Sequence, residues 1–166
     1  MSSCDRRTVL MLLAGLPLAA CGYTPAYGPG GSAGLLADRI EMDAPTSRDA
    51  FSFVARMEDR LGRGSEPAYR LSYQIATQRV DLAVDTSGAI LRYNLIGSVQ
   101  WQLKDAATGK VLLQGAERNF AGSAATEATI PAQASEDDAR QRLMVILADQ
   151  VATRLIAQSP TLAAAP

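Results

Sequence analysis

The 166-residue sequence contains no histidine, only two cysteines and a single tryptophan, and aromatic residues make up 5% of it. Without histidine, hydrolytic triads and most general acid–base schemes lose their usual central group, and zinc loses a common nitrogen ligand. Neither cysteine offers the folded part a thiol. Cys4 lies in an N-terminal segment read below as a cleaved signal, and Cys21 stands at its boundary with its sulfur committed to lipid. No other constellation suggests catalysis, so the expectation is no enzyme, no metal and no cofactor beyond covalent lipid. An excess of charge is lacking as well: 16 Lys and Arg face 17 Asp and Glu. With no basic run the chain is not expected to bind nucleic acid, and no basic amphipathic helix is available to lie on an anionic membrane.

What is present begins with Arg6 and Arg7, then an uncharged run from Val9 to Ala20 ending in small residues. This reads as a secretory signal, too short to span about 30 Å of hydrocarbon. The Arg6-Arg7 pair is similar to a twin-arginine export signal, but Asp5 and Val9 fit that signal poorly. Leu18-Ala19-Ala20-Cys21 has the pattern of a bacterial lipoprotein cleavage site. Cleavage between Ala20 and Cys21 and acylation of Cys21, by diacylglycerol and an N-acyl chain, are the expectations. Loss of Arg6, Arg7 and Asp5 leaves 14 basic against 16 acidic side chains. The remainder is long enough for one domain.

Residues 21–37 are rich in Gly and Pro and read as a flexible spacer, with Tyr23, Leu35 and Leu36 able to dock locally. The folded domain is placed at 38–158, with a disordered tail at 159–166. Asp38 to Asp43 suggests one short strand. Thr46 or Ser47 caps a helix whose apolar stripe is Ala50, Phe53, Val54, Met57 and Leu61, stopped by Gly62 and Gly64.

From Ala68 to Ala121 the period becomes two. Leu71, Tyr73 and Ile75 share one parity and Val80, Leu82 and Val84 the other, which places a bulge or break between Thr77 and Arg79. After a turn at 85–88, Leu91 to Lys104 is the cleanest strand, and at about 3.3 Å per residue it reaches roughly 45 Å. Ala106 to Gly109 turns the chain into a further strand, Val111 to Phe120. A loop at 122–134 precedes a helix capped by Ser135, with Leu143, Ile146, Leu147, Val151 and Leu155 as its buried stripe. Glu136–Arg140 and Asp138–Arg142 are its supporting pairs.

The order β-α-β-β-β-α predicts an α+β fold with two helices on one face of a four-stranded mixed sheet. Strands one and two, joined through a helix, are expected to be parallel and the rest antiparallel. The second face, with Arg92, Asn94, Gln100, Gln102 and Lys104, reads as polar.

Cys21-Gly22-Tyr23-Thr24-Pro25-Ala26-Tyr27-Gly28 resembles the start of mature lipopolysaccharide-assembly lipoproteins of the LptE family, where Cys-Gly-aromatic-x-Pro-x-Tyr-Gly is typical of the shorter members. Trp101 to Val111 is similar to that family's Tyr-x-Leu-x-Asp-x-x-Thr-Gly turn, with tryptophan in place of tyrosine, and Ala139 to Leu155 is similar to its closing helix. The loop after Phe120 lacks the family's tyrosines, so no loop contact is carried over.

The resemblance implies a non-catalytic protein on the periplasmic side of the outer membrane. It would join an LptD-like β-barrel, assist its assembly and help deliver lipopolysaccharide (LPS) to the outer leaflet. Because LPS carries phosphates, Arg92, Lys104, Lys110 and Arg118 are candidate contacts, weighed against an ordinary solvated face. The alternative is an auxiliary lipoprotein of a lipid-transport ABC system, holding phospholipid in an apolar cleft between helices and sheet.

Overall fold

The computed structural model describes residues 27–28, 31–84, 86, 90–124 and 129–163. Cleavage and acylation at Ala20 and Cys21, and most of the turn expected at 85–88, lie outside the described residues. Four strands form one mixed sheet in the order β1-β2-β3-β4: β1 Ile40–Met42, β2 Tyr69–Val84, β3 Ile90–Asp105 and β4 Val111–Ala124. Helix α1, Arg48–Leu61, links β1 to β2, which run parallel, and helix α2, Thr129–Ala163, follows β4. The two hairpins are antiparallel. This is the expected α+β fold, with both helices on one face.

Ser47 caps α1, its hydroxyl accepting from Ala50 N at 3.1 Å. All five residues of the α1 stripe are buried, and Phe53 meets Tyr73 of β2 at 5.1 Å between ring centroids. Gly62 ends the helix at φ 79, where any side chain would collide with Asp38. On β3 the buried side chains are Tyr93, Leu95, Val99, Trp101 and Leu103, all of one parity. Leu91 departs from this alternation and is half exposed. Helix α2 crosses β3 so closely at Gly97 that an added Cβ would lie 2.9 Å from Leu147 and 3.0 Å from Leu143.

Four boundaries differ from the sequence reading. The spacer read to residue 37 ends earlier, because Ser32–Leu35 form a turn of 3-10 helix and Ala33 and Leu36 enter the core. Helix α2 begins at Thr129 instead of Ser135. Pro131 falls in its first turns, where a missing N–H costs nothing, and Ser135 bonds Ser123 at 2.8 Å. The helix also continues through the stretch read as a disordered tail, to Ala163. Pro160 cannot donate to the Ile156 carbonyl, but the buried Ser159 hydroxyl lies 3.0 Å from that oxygen and 2.7 Å from the Ser32 carbonyl. In the α2 stripe, Ile146 is 36% exposed and Met144, Ala148 and Ala152 are buried instead.

The fourth difference is in β2. No break occurs between Thr77 and Arg79: the register with β3 is regular from Tyr69 to Asp81, and shifts occur only at Asp81/Ala83 and Ala83/Val84. The apolar parity changes because the cover changes. Beyond Ile75 the helix-side positions Thr77, Arg79 and Asp81 are exposed, so polar residues occupy them, while Val80 faces the other way. Arg79 lies over the Tyr93 ring at 3.9 Å and pairs with Asp81 at 3.0 Å.

Candidate functional site

The register builds the outer face of the sheet row by row. Arg70 and Lys104 stand side by side at one end; then come Ser72, Gln102 and Gln114, then Gln74, Gln100 and Ala116. Ala76, Ser98 and Arg118 form the middle row, and Gln78, Ile96 and Phe120 the next. Val80, Asn94 and Gly122 follow, with Arg92 near the far end. A concavity of about 610 Å³ opens over the first part, lined in part by Ser72, Gln74, Gln100, Gln102, Lys104 and Gln114. Primary amides donate and accept at once, so this half offers dense hydrogen bonding with little charge.

The far half corrects the expectation of a wholly polar second face. Phe120 is 58% exposed on this face, with Val80 and Ile96 partly buried near it; Leu82, also 58% exposed, falls at the register shift between Asp81 and Ala83. Val80, whose parity suggests a break between Thr77 and Arg79, instead keeps the outward position of an unbroken strand. The signal for an apolar outer face was therefore present in the sequence but misattributed.

The four candidate cations do not converge. Lys104 and Lys110 lie at the β3–β4 hairpin end, Arg118 in the middle, and Arg92 at the opposite end. Twelve residues of strand separate Arg92 from Lys104, about 40 Å, so one phosphate headgroup meets at most the Lys104 and Lys110 pair. The hairpin that presents them is rigidly made. Asp105 accepts from Thr108 N at 2.7 Å, Thr108 Oγ1 at 2.7 Å and Ala107 N at 3.2 Å, and Gly109 takes φ 70. Those bonds, led by the Thr108 hydroxyl, hold the Asp105 carboxyl below its ordinary range.

A second cluster, which sequence reasoning missed, joins α1, α2 and the entering chain. Asp149 accepts from Arg56 Nε at 2.9 Å, Arg56 Nη2 at 3.1 Å and Arg60 Nη1 at 2.7 Å. Arg60 Nη2 also donates to the Tyr27 hydroxyl at 2.5 Å, with its guanidinium 5.8 Å from the Tyr27 ring centroid. Burial pushes the Asp149 carboxyl up, but the hydrogen bonds from Arg56 and Arg60 outweigh it and leave the group below the usual carboxylate range. Arg56 and Arg60 sit on the polar side of α1, which reads from sequence as an ordinary solvated face. Nothing local marks a partner 89 or more residues away.

No group of three metal-ligating side chains comes together among the described residues, and no described helix is long and apolar enough to cross a membrane. The space between helices and sheet is filled by Trp101, Phe53, Met57, Leu143, Met144 and Leu147, each 1% exposed or less.

Comparison with known proteins gives the same architecture. A family model described as LptE, lipopolysaccharide-assembly, matches residues 37–155. A solved protein described as a lipoprotein from Caulobacter crescentus CB15 superposes with a TM-score of 0.65 at 23% identity, covering 81% of this chain and 98% of that one. Rare lipoprotein B from Shewanella oneidensis gives 0.58 at 12% identity, covering 75% and 96%. A minor lipoprotein from Acinetobacter baumannii gives 0.54 at 17% identity, covering 72% and 90%. At these identities the structures establish the shared fold. No curated protein sequence matches the chain significantly.

Proposed function

This chain belongs to the LptE family of lipopolysaccharide-assembly proteins, and on that premise we propose that it is a lipid-anchored, non-catalytic subunit of the LPS-export machinery at the outer membrane. Acylation at Cys21 after cleavage behind Ala20 holds it on the periplasmic side. There it joins an LptD-like β-barrel, assists assembly of that barrel and takes part in passing LPS to the outer leaflet. The observation that carries the reading is the family match, which runs through all four strands, α1 and α2 as far as Leu155.

The geometry is compatible with that role. The amide rows of the outer face suit a wet, hydrogen-bonded contact with a polar barrel interior, where a greasy surface would fail. Among the described residues the interior between helices and sheet is packed with buried side chains, which favours this reading over a phospholipid carrier. Lys104 and Lys110, which share one end, are the basic pair we assign to LPS phosphates. Arg92 and Arg118 are assigned no joint site with them.

Conditional depletion tests the function. Loss of this chain should lower the LPS that reaches the cell surface, and unchanged surface LPS contradicts the reading. The Cys21→Ser variant should lose acyl-chain labelling and leave the outer-membrane fraction; retention of either contradicts the anchor. The Lys104→Glu/Lys110→Glu double variant should weaken LPS binding about tenfold with an unchanged unfolding curve, because two cations outside the core become anions. Undiminished binding removes the pair from the site.

A further inference from the structure

Tyr27 is 65% exposed, so no burial holds it in place, yet its hydroxyl accepts a hydrogen bond from Arg60 Nη2 at 2.5 Å. Arg60 is held in turn by Asp149 of α2, and Asp149 by Arg56. After Tyr27 the Gly28 carbonyl accepts from Gly31 N at 2.8 Å, and the Ser32 carbonyl meets Ser159 near the end of α2. The entering chain therefore lies along the C-terminal ends of both helices, beside the β3–β4 hairpin, where Ala106 N bonds the Ala68 carbonyl.

We propose that the Tyr27–Arg60 contact is a clamp that turns this end of the domain toward the lipid surface and holds it there. The inference rests on the reading of Cys21 as acylated. Its force comes from chain length. Tyr27 is six residues from Cys21, a span of at most about 20 Å, whereas Ala33, which is buried in the core, is twelve residues away and reaches about 40 Å. Clamped, the Arg60 end stays close to the headgroups. The long sheet then carries its opposite end, with Leu82 and Arg92, away from the leaflet. Unclamped, the leash doubles and the domain turns freely.

Charge acts in the same sense without fixing a height: Arg63 pairs with Glu58 and Arg70 with Glu41, while Lys104 and Lys110 at the same end add attraction to an anionic surface. The contact that fixes the height of this end is the Arg60–Tyr27 hydrogen bond, and the surface it faces is a bilayer.

Fluorescence quenching tests the clamp. The acylated chain is reconstituted into phosphatidylethanolamine–phosphatidylglycerol vesicles containing nitroxide-headgroup lipid, with one fluorophore on Arg63→Cys or on Leu82→Cys. With the Cys21 sulfur in thioether linkage, the introduced thiol is the one available to the label. Quenching should be several-fold stronger at 63 than at 82, and Tyr27→Ala should bring that ratio toward one without altering the circular dichroism spectrum. A Tyr27→Ala chain that floats with the vesicles and keeps the original ratio overturns the clamp alone. A chain that fails to float at all contradicts the acylation on which the clamp depends, and removes both.

Discussion

Asp149 joins the two helices by hydrogen bonds at both oxygens, beside the ion pairs Arg48–Asp137 at 2.8 Å and Arg140–Asp49 at 3.6 Å. It is one-third exposed, so screening limits its worth, but it accepts three hydrogen bonds from two guanidinium groups. Asp149→Asn should lower stability by about 1–2 kcal/mol, from lost charge-assisted bonds. Its folded-state carboxyl is held lower than in the unfolded chain. The stabilisation is therefore complete above the unfolded value near pH 4, and is lost as pH falls through the lowered one. Asp105, lowered by the Thr108 and Ala107 bonds, acts in the same direction. Urea unfolding followed by the fluorescence of Trp101, the sole tryptophan, measures both effects. A flat stability profile from pH 5 to pH 2 contradicts them. The same fluorophore reports on Gly115, where an added Cβ would stand 2.6 Å from the Trp101 ring. Gly115→Ala should cost about 1–3 kcal/mol, since a rigid indole cannot yield as a flexible chain end does.

At the scale of elements, legibility followed cover. Helix α1 and strand β3 were readable because each packs one face against a core along most of its length, so period and burial coincide. Strand β2 has cover only for its first half. There the same period-two rule located Leu71 and Tyr73 and then invented a break at Thr77–Arg79, where the strand is regular. The ends of α2 were missed for another reason. Pro131 and Pro160 look like boundaries, but the first sits where the helix needs no N–H, and a buried serine makes up for the second. Ser159→Ala tests that compensation. It should leave the Ile156 and Ser32 carbonyls without their partner at a cost of about 1–3 kcal/mol, and faster amide exchange should follow in the last turns of α2. Unchanged exchange there shows that the hydroxyl is dispensable. The Arg56–Arg60–Asp149–Tyr27 cluster was illegible in principle, since ion pairs between distant segments leave no periodic trace.

At the scale of the whole molecule, the chain is a long, thin module: one face covered by helices except beyond the first half of β2, and the other open, amide-rich at the tether end and partly apolar in the far half. Under the proposed function such a body fills space inside a partner. Its family membership names the process, LPS assembly, and a β-barrel that receives it is the proposed partner. Affinity purification of the tagged, acylated chain from outer membranes solubilised in mild detergent tests that addition most directly. The account predicts that a β-barrel of much larger mass co-elutes in equal molar amount and stays bound through washing. Elution of the chain by itself, from membranes that still hold the barrel, would contradict it.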